Sequence, residues 1–205
     1  MTLRSRNDQE KALLKEKIQN AAVEIIVKEG YHKLSIRKIA QEIGYSPTTI
    51  YNYFKNKEDI LESIALSVYI ETIVTIQQKF SQNPVLNPLE KLEVGCTTFI
   101  QTMVKNPEKF RAVMLSGRRQ ILNQYENAQH LPRRTEVLQQ ILEDGARQNI
   151  FRPVSDETAE MILVALMGFV FHIVSEQIED DQTIDTMSEH YLTLLIQGLK
   201  KEVHH

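Results

Sequence analysis

The segment from Ser35 to Lys57, SIRKIAQEIGYSPTTIYNYFKNK, constrains this chain more than any other. Start signals, an apolar stripe and a stop signal occur there in the order that two short helices need. Ser35 is placed as an N-cap, its hydroxyl free to accept from an orphan amide of the first turn. Lys38 stands where a capping box would carry an acid, so the box is half made. Ile36, Ile39, Ala40 and Ile43 recur at i, i+3, i+4 and i+7, one apolar stripe on a short helix, with Arg37, Lys38, Gln41 and Glu42 on the other side. Gly44 follows the last apolar position, where a left-handed residue ends a helix at least cost. After the spacer Tyr45, Ser46 and Pro47 pair an N-cap with proline at the first helical position, opening a second helix.

That second helix sets Ile50 and Phe54 four apart, able to face its predecessor. Thr48, Thr49, Tyr51, Asn52 and Tyr53 are left to point elsewhere, where an ordinary surface helix would carry Glu, Lys and Gln. Asn can read adenine bidentately, Thr can meet a thymine methyl, and tyrosine hydroxyls and lysines can hold phosphates. A helix of this kind is shaped to enter a DNA major groove. The competing reading is a plain helical hairpin with Tyr51 and Tyr53 as packing residues. The agreement of both caps, the stripe, the glycine and the uncharged outer face favours DNA. Asn56 is placed to cap a further helix beginning Lys57-Glu58-Asp59, whose acids suit its positive end.

The stretch Lys17 to Leu61, about a quarter of the chain, resembles the DNA-binding domain of TetR-family transcriptional regulators. The matching elements are Ala21-Ala22-x-x-Ile25 with Gly30-Tyr31, Ser35-Ile36-x-x-Ile39-Ala40, Gly44-x-Ser46, Ile50-Tyr51-x-Tyr53-Phe54, and Asn56-Lys57-x-x-x-Leu61. In that family the positions matching Thr48, Thr49, Tyr51, Asn52 and Tyr53 face DNA. The tyrosine and the lysine of the fourth helix hold phosphates, a role that carries over to Tyr51 and Lys57. Arg37 matches a second-helix position that contacts DNA in some members. Asn52 stands where members differ most, so sequence discrimination is expected of it. Tyr53 replaces a histidine often found there and keeps a hydrogen-bonding tip.

Composition agrees with a helical protein. Gly and Pro are scarce, Trp is absent, and 205 residues suffice to bury a substantial core. The expected fold is all-α, with a three-helix helix-turn-helix domain over residues 1–57, a helical bundle over 58–205, and about nine helices in total. The net charge of −3 hides an asymmetry: residues 1–57 hold 11 Lys or Arg against 6 Asp or Glu, and residues 58–205 hold 13 against 21. A basic head on an acidic body confines attraction for the duplex to the reading surface. Arg4 and Arg6 are either a minor-groove arm or part of a solvated terminus. The single cysteine, Cys96, allows no internal disulfide and fits a reducing cytoplasm; it reads as a small buried hydrophobe, with a redox sensor as the alternative. The charged N-terminus shows no secretory signal. His204 and His205, native or left by a purification tag, carry no functional argument.

Beyond Lys57, a fourth helix is expected from Glu58 to about Phe80, with Asn87-Pro88 and Asn106-Pro107 opening the fifth and sixth. Leu131-Pro132 and Arg152-Pro153 punctuate again, and Asp156 is placed to cap the helix holding Met161 to Val174. That run is apolar all round yet, at fourteen residues, short for a bilayer, so it is expected inside protein. The last helix is expected over Ile184 to Glu202, with Met187, Tyr191, Leu194, Leu195, Gly198 and Leu199 on one face. One short recognition helix reads little sequence alone, and the resemblance implies a homodimer through the last two helices, about residues 156–178 and 184–202.

The resemblance also implies a small-molecule effector in the helical body, which shifts the two heads. A suitable lining is Phe99 and Met103, Phe110 and Met114, and Phe169 and His172, pairs at helical spacing that serve equally well as core. His172 and Glu176 share a face but lack a third ligand, so no metal is expected. Arg118 and Arg119 either meet an acidic ligand such as an acyl thioester or form a solvated helix end, and His130 stands alone in a polar connection. No phosphate-cradling glycine loop or nucleophile motif is present, and neither enzymatic chemistry nor a cofactor is expected. The function expected is a ligand-responsive repressor on a palindromic operator, outside any membrane. A non-enzymatic adaptor and an activator of the same fold are the alternatives.

Overall fold

In this computed structural model residues 3–116, 135–155 and 157–201 are described, with side chains from Asp8 onward. The side chains of Arg4 and Arg6, together with Arg118, Arg119, His130, Leu131-Pro132, Asp156, His204 and His205, lie outside the described residues. Among the described residues are nine α-helices: α1 Leu3–Glu29, α2 Ile36–Ile43, α3 Pro47–Tyr51, α4 Lys57–Gln82, α5 Pro88–Lys105, α6 Pro107–Leu115, α7 Glu136–Arg147, α8 Thr158–Ser175 and α9 Asp181–Gln197. They contain no strand, only an isolated antiparallel bridge between Phe151 and Lys200. The protein is all-α, with the helix-turn-helix near its N-terminus.

The start and stop signals act as physical caps. Ser35 Oγ accepts from Lys38 N, Gly44 closes α2 in the left-handed region at φ 72°, and Ser46 Oγ accepts from Thr49 N while Pro47 takes the first helical position. Asn56 Oδ1 accepts from Asp59 N at 2.8 Å, and the Asp59 carboxylate reaches back to Lys55 N. At α5, Asn87 accepts from Leu89 N and Glu90 N, and Glu90 returns a bond to Asn87 N, a complete capping box. Pro107 opens α6, but the Asn106 side chain does not cap it.

The chain divides into two compact units. Of the described residues, the first takes those up to Val68 and those from Asn106 to Ser116; the second takes Tyr69 to Lys105 and those from Thr135 on. The helix α6, which lies beyond the residue-57 division expected from sequence, groups with the head. Its Ala112 is fully buried in the head's core, with Val113 packed against that core. Ile18, Ala22, Ile25 and Ile26 of α1, Ile36, Ile39 and Ala40 of α2, Ile50 and Phe54 around α3, and Ile60, Leu61 and Ile64 of α4 share that core. A buried polar pair crosses this core, with Gln19 Nε2 donating to Ser63 Oγ at 2.7 Å. Both groups gain the partner that burial requires.

In the second unit α5 packs against α7, α8 and α9. Its Leu92, Cys96, Ile100 and Met103 are buried, facing Ile141 and Leu142 of α7, Ile162, Leu166, Val170 and Ile173 of α8, and Ile184, Leu192 and Ile196 of α9. Two expectations change. The last helix starts at Asp181, not Ile184, because Asp180 caps it by accepting from Thr183 N, and it ends at Gln197. The residues expected on one face differ in burial: Leu199 is buried, Met187, Tyr191 and Leu195 half-buried, and Leu194 and Gly198 exposed. The helix α8 spans 18 residues and by length and hydropathy alone is sufficient to cross a bilayer, since it is longer than the apolar run inside it.

Candidate nucleic-acid interface

The recognition helix α3 is short and held from beneath. Ile50 and Phe54 are buried in the head, which fixes the orientation of the residues between them. Tyr51 is 57% exposed, and Thr48 and Asn52 are exposed beside it. Tyr53 is half-buried and packs on the core, so its ring is a packing element as well as a carrier of its hydroxyl. Thr49 is half-buried, its hydroxyl 2.9 Å from Ser46 Oγ. Arg37 is exposed on α2.

Lys57 opens α4 with its ammonium 4.6 Å from the centroid of the Tyr31 ring, and the Tyr31 hydroxyl donates to Glu58 at 3.2 Å. A cation over an aromatic face keeps its full charge while the ring limits the stem's freedom. Lys17 over Tyr45 and Lys15 over Phe54 are held in the same way, at 5.4 and 5.8 Å. A groove of about 620 Å³ runs beside α3, lined by Lys11, Ala12 and Lys15 of α1 and by Thr49, Asn52 and Tyr53. The two lysines were not among the residues expected from sequence. They lie more than thirty positions from Thr49, and only the packing of α1 brings them alongside.

Residues 18–64 match the family model for bacterial regulatory proteins of the tetR family. The likeness extends well beyond the head. The fatty acid metabolism regulator protein of Bacillus subtilis is 26% identical over 185 residues, 89% of this chain and 93% of that one. The crystal structure of the transcriptional regulator FadR from Bacillus subtilis, in complex with stearoyl-CoA, superposes with a TM-score of 0.70 at 26% identity, covering 90% of this chain and 98% of that one. The chain belongs to the TetR family of transcriptional regulators. The fatty acid degradation regulator FadR of Bacillus halodurans shares the fold, with a TM-score of 0.70 at 23% identity and coverage of 92% and 97%.

Within this TetR-family chain the six expected ligand-site residues do not share one setting. Phe99 is half-buried and Met103 buried on α5, and Phe169 is half-buried on α8, its ring stacked 4.4 Å from that of Tyr191 on α9. Phe110 and Met114 belong to α6 in the head unit, the first buried and the second exposed. His172 lies on the exposed side of α8, whose periodicity sends it outward with Gly168 and Phe171. Among the described residues no three His, Cys, Asp or Glu side chains are grouped to hold a metal ion.

The body holds polar atoms that the apolar pattern did not reveal. Thr98 Oγ1 on α5, Gln139 Oε1 on α7 and Tyr191 OH on α9 are buried without a hydrogen-bond partner. Burial, and then the neighbouring Cys96, push the Tyr191 hydroxyl above its usual range and keep it neutral. A buried group left unpaired costs about 1–3 kcal/mol, a penalty natural folds seldom leave standing.

Proposed function

We propose that this chain is a homodimeric, cytoplasmic repressor that holds a palindromic operator and releases it when its helical body binds a long-chain fatty acyl thioester. The supporting observation is the likeness over nearly the whole chain to a Bacillus subtilis protein named for fatty acid metabolism and to a Bacillus subtilis FadR structure in complex with stearoyl-CoA. A match confined to the head would support DNA binding alone. The relatives are named as regulators, in keeping with a non-enzymatic role.

Thr48 and Thr49, at the start of α3, meet base edges, and Tyr51, Lys57 and Arg37 hold the backbone. In the body, Phe99, Met103 and Phe169 offer apolar wall to an acyl chain, and the Thr98 and Tyr191 hydroxyls supply donors for its polar end. The helix α4 contributes to both units, so it is the element through which ligand binding reaches the head. The pairing surface is the outer side of α8 and α9. Met161 is 69% exposed, Val164 61% and Leu194 71%, with Ala165, Gly168 and Phe171 along the same side of α8. A large contiguous apolar face marks an interaction site. Small residues at its centre let two helices approach closely, which suits a second copy better than lipid.

The test is selection of fragments of the source organism's genomic DNA bound by the purified protein. Enrichment of inverted-repeat sites, with affinity falling steeply as salt rises, is expected. Absence of enrichment together with salt-independent binding overturns the proposal.

A further inference from the structure

The head's lysines fall into two groups. Lys28 pairs with Glu24 at 3.3 Å and Lys38 pairs with Glu29, so their charges are compensated within the protein. Lys15, Lys17 and Lys57 instead rest against aromatic rings, and a ring orients a cation without neutralising it. Lys11 and Lys15 lie one turn apart on the part of α1 before Ile18, a stretch whose described side chains are exposed save for the half-buried Leu14. The hydrophobic core does not account for a helix continued so far beyond it.

The two lysines line the 620 Å³ groove opposite Thr49, Asn52 and Tyr53. This lining offers two ammonium groups, an amide and a phenol, with Ala12 between the lysines leaving room for close approach. Point charges backed by neutral donors suit a phosphodiester. Position along α3 points the same way. Helix-turn-helix proteins read bases chiefly with the N-terminal residues of the recognition helix. Asn52 caps the C-terminal end of α3, and its side chain lines the groove beside α1.

Building on the DNA-binding reading above, we infer that the groove between α1 and α3 is a second phosphate seat, in which Lys11, Lys15, Asn52 and Tyr53 hold the sugar–phosphate strand beside the major groove. Asn52 is thereby a backbone ligand, and base discrimination falls to Thr48 and Thr49. Lys11 and Lys15, on the exposed turns of α1 before Ile18, then lie along the duplex.

The experiment measures affinity for a selected operator and for a scrambled duplex across a salt series, using full-length wild type, the double variant Lys11→Gln/Lys15→Gln, and Asn52→Ala, with thermal melts to confirm the fold. Each lysine removed should lower the logarithmic salt slope by about 0.9, so the double variant loses ~1.8 per head on both duplexes. Asn52→Ala should weaken both duplexes by the same factor and leave preference at every base pair unchanged. An unchanged slope in the double variant overturns the seat, as does a loss in Asn52→Ala confined to one base pair. Wild type showing no salt-dependent binding overturns the DNA-binding reading itself, and the seat with it.

Discussion

At the scale of single residues, burial decides what Cys96 can do. It is buried on α5, and loss of hydration pushes its thiol from 9.0 up to about 12. The thiolate is the reactive form, so this cysteine is inert in the folded protein and the redox-sensor alternative loses its basis. Native protein at pH 8 should therefore resist alkylation by iodoacetamide, and denatured protein should react promptly; equal rates would contradict the burial. The sign of the linkage follows, since the unfolded thiol ionises first as pH rises. The stability attached to Cys96 is present below pH 9 and lost between 9 and about 12, at up to ~1.4 kcal/mol per unit. Residues whose task is local were readable before any fold was known: Ser35, Ser46, Asn56 and Gly44 act within four positions of themselves. Lys11, Lys15, Thr98 and Tyr191 were not, because each gains meaning from a neighbour far along the chain.

At the scale of elements, the cleanest dependence is that of α7 on one missing methyl group. A Cβ added at Gly145 would stand 2.0 Å from the ring of Phe151, a residue buried at the close of that helix. The same turn carries the hydrogen bond from Arg152 N to Leu199 O and that from Lys201 N to Ile150 O, tying the end of α7 to the end of α9. Gly145→Ala should destabilise the protein by about 1–3 kcal/mol through overpacking, despite alanine's better helix propensity. Chemical denaturation checks this, and a stabilised variant would show that the ring moves freely. Helix starts at Pro47, Pro88 and Pro107 were legible because capping residues and proline act locally. The first half of α1 was not, because its exposed turns bear no apolar stripe, and the grouping of α6 with the head depends on Ala112 and Val113 finding partners on α1.

At the scale of the whole molecule, charge and apolar surface are both distributed unevenly. Charge is divided between a head rich in lysine and arginine and an acidic remainder, which confines attraction for a polyanion to the head. Apolar surface is divided too: α8 gives Ile162, Leu166, Val170 and Ile173 to its own unit and Met161, Val164, Ala165, Gly168 and Phe171 to the outside. A run apolar all round was legible as a helix needing two partners, but which residues face which partner required the fold. Sedimentation velocity of a labelled operator duplex with the protein, without and with stearoyl-CoA, asks whether a dimer holds DNA and an acyl thioester releases it. Two chains, or a multiple of two, are expected on each duplex, and free duplex once stearoyl-CoA saturates the protein. A single chain per duplex, or a complex that persists at saturating stearoyl-CoA, would contradict the proposed function.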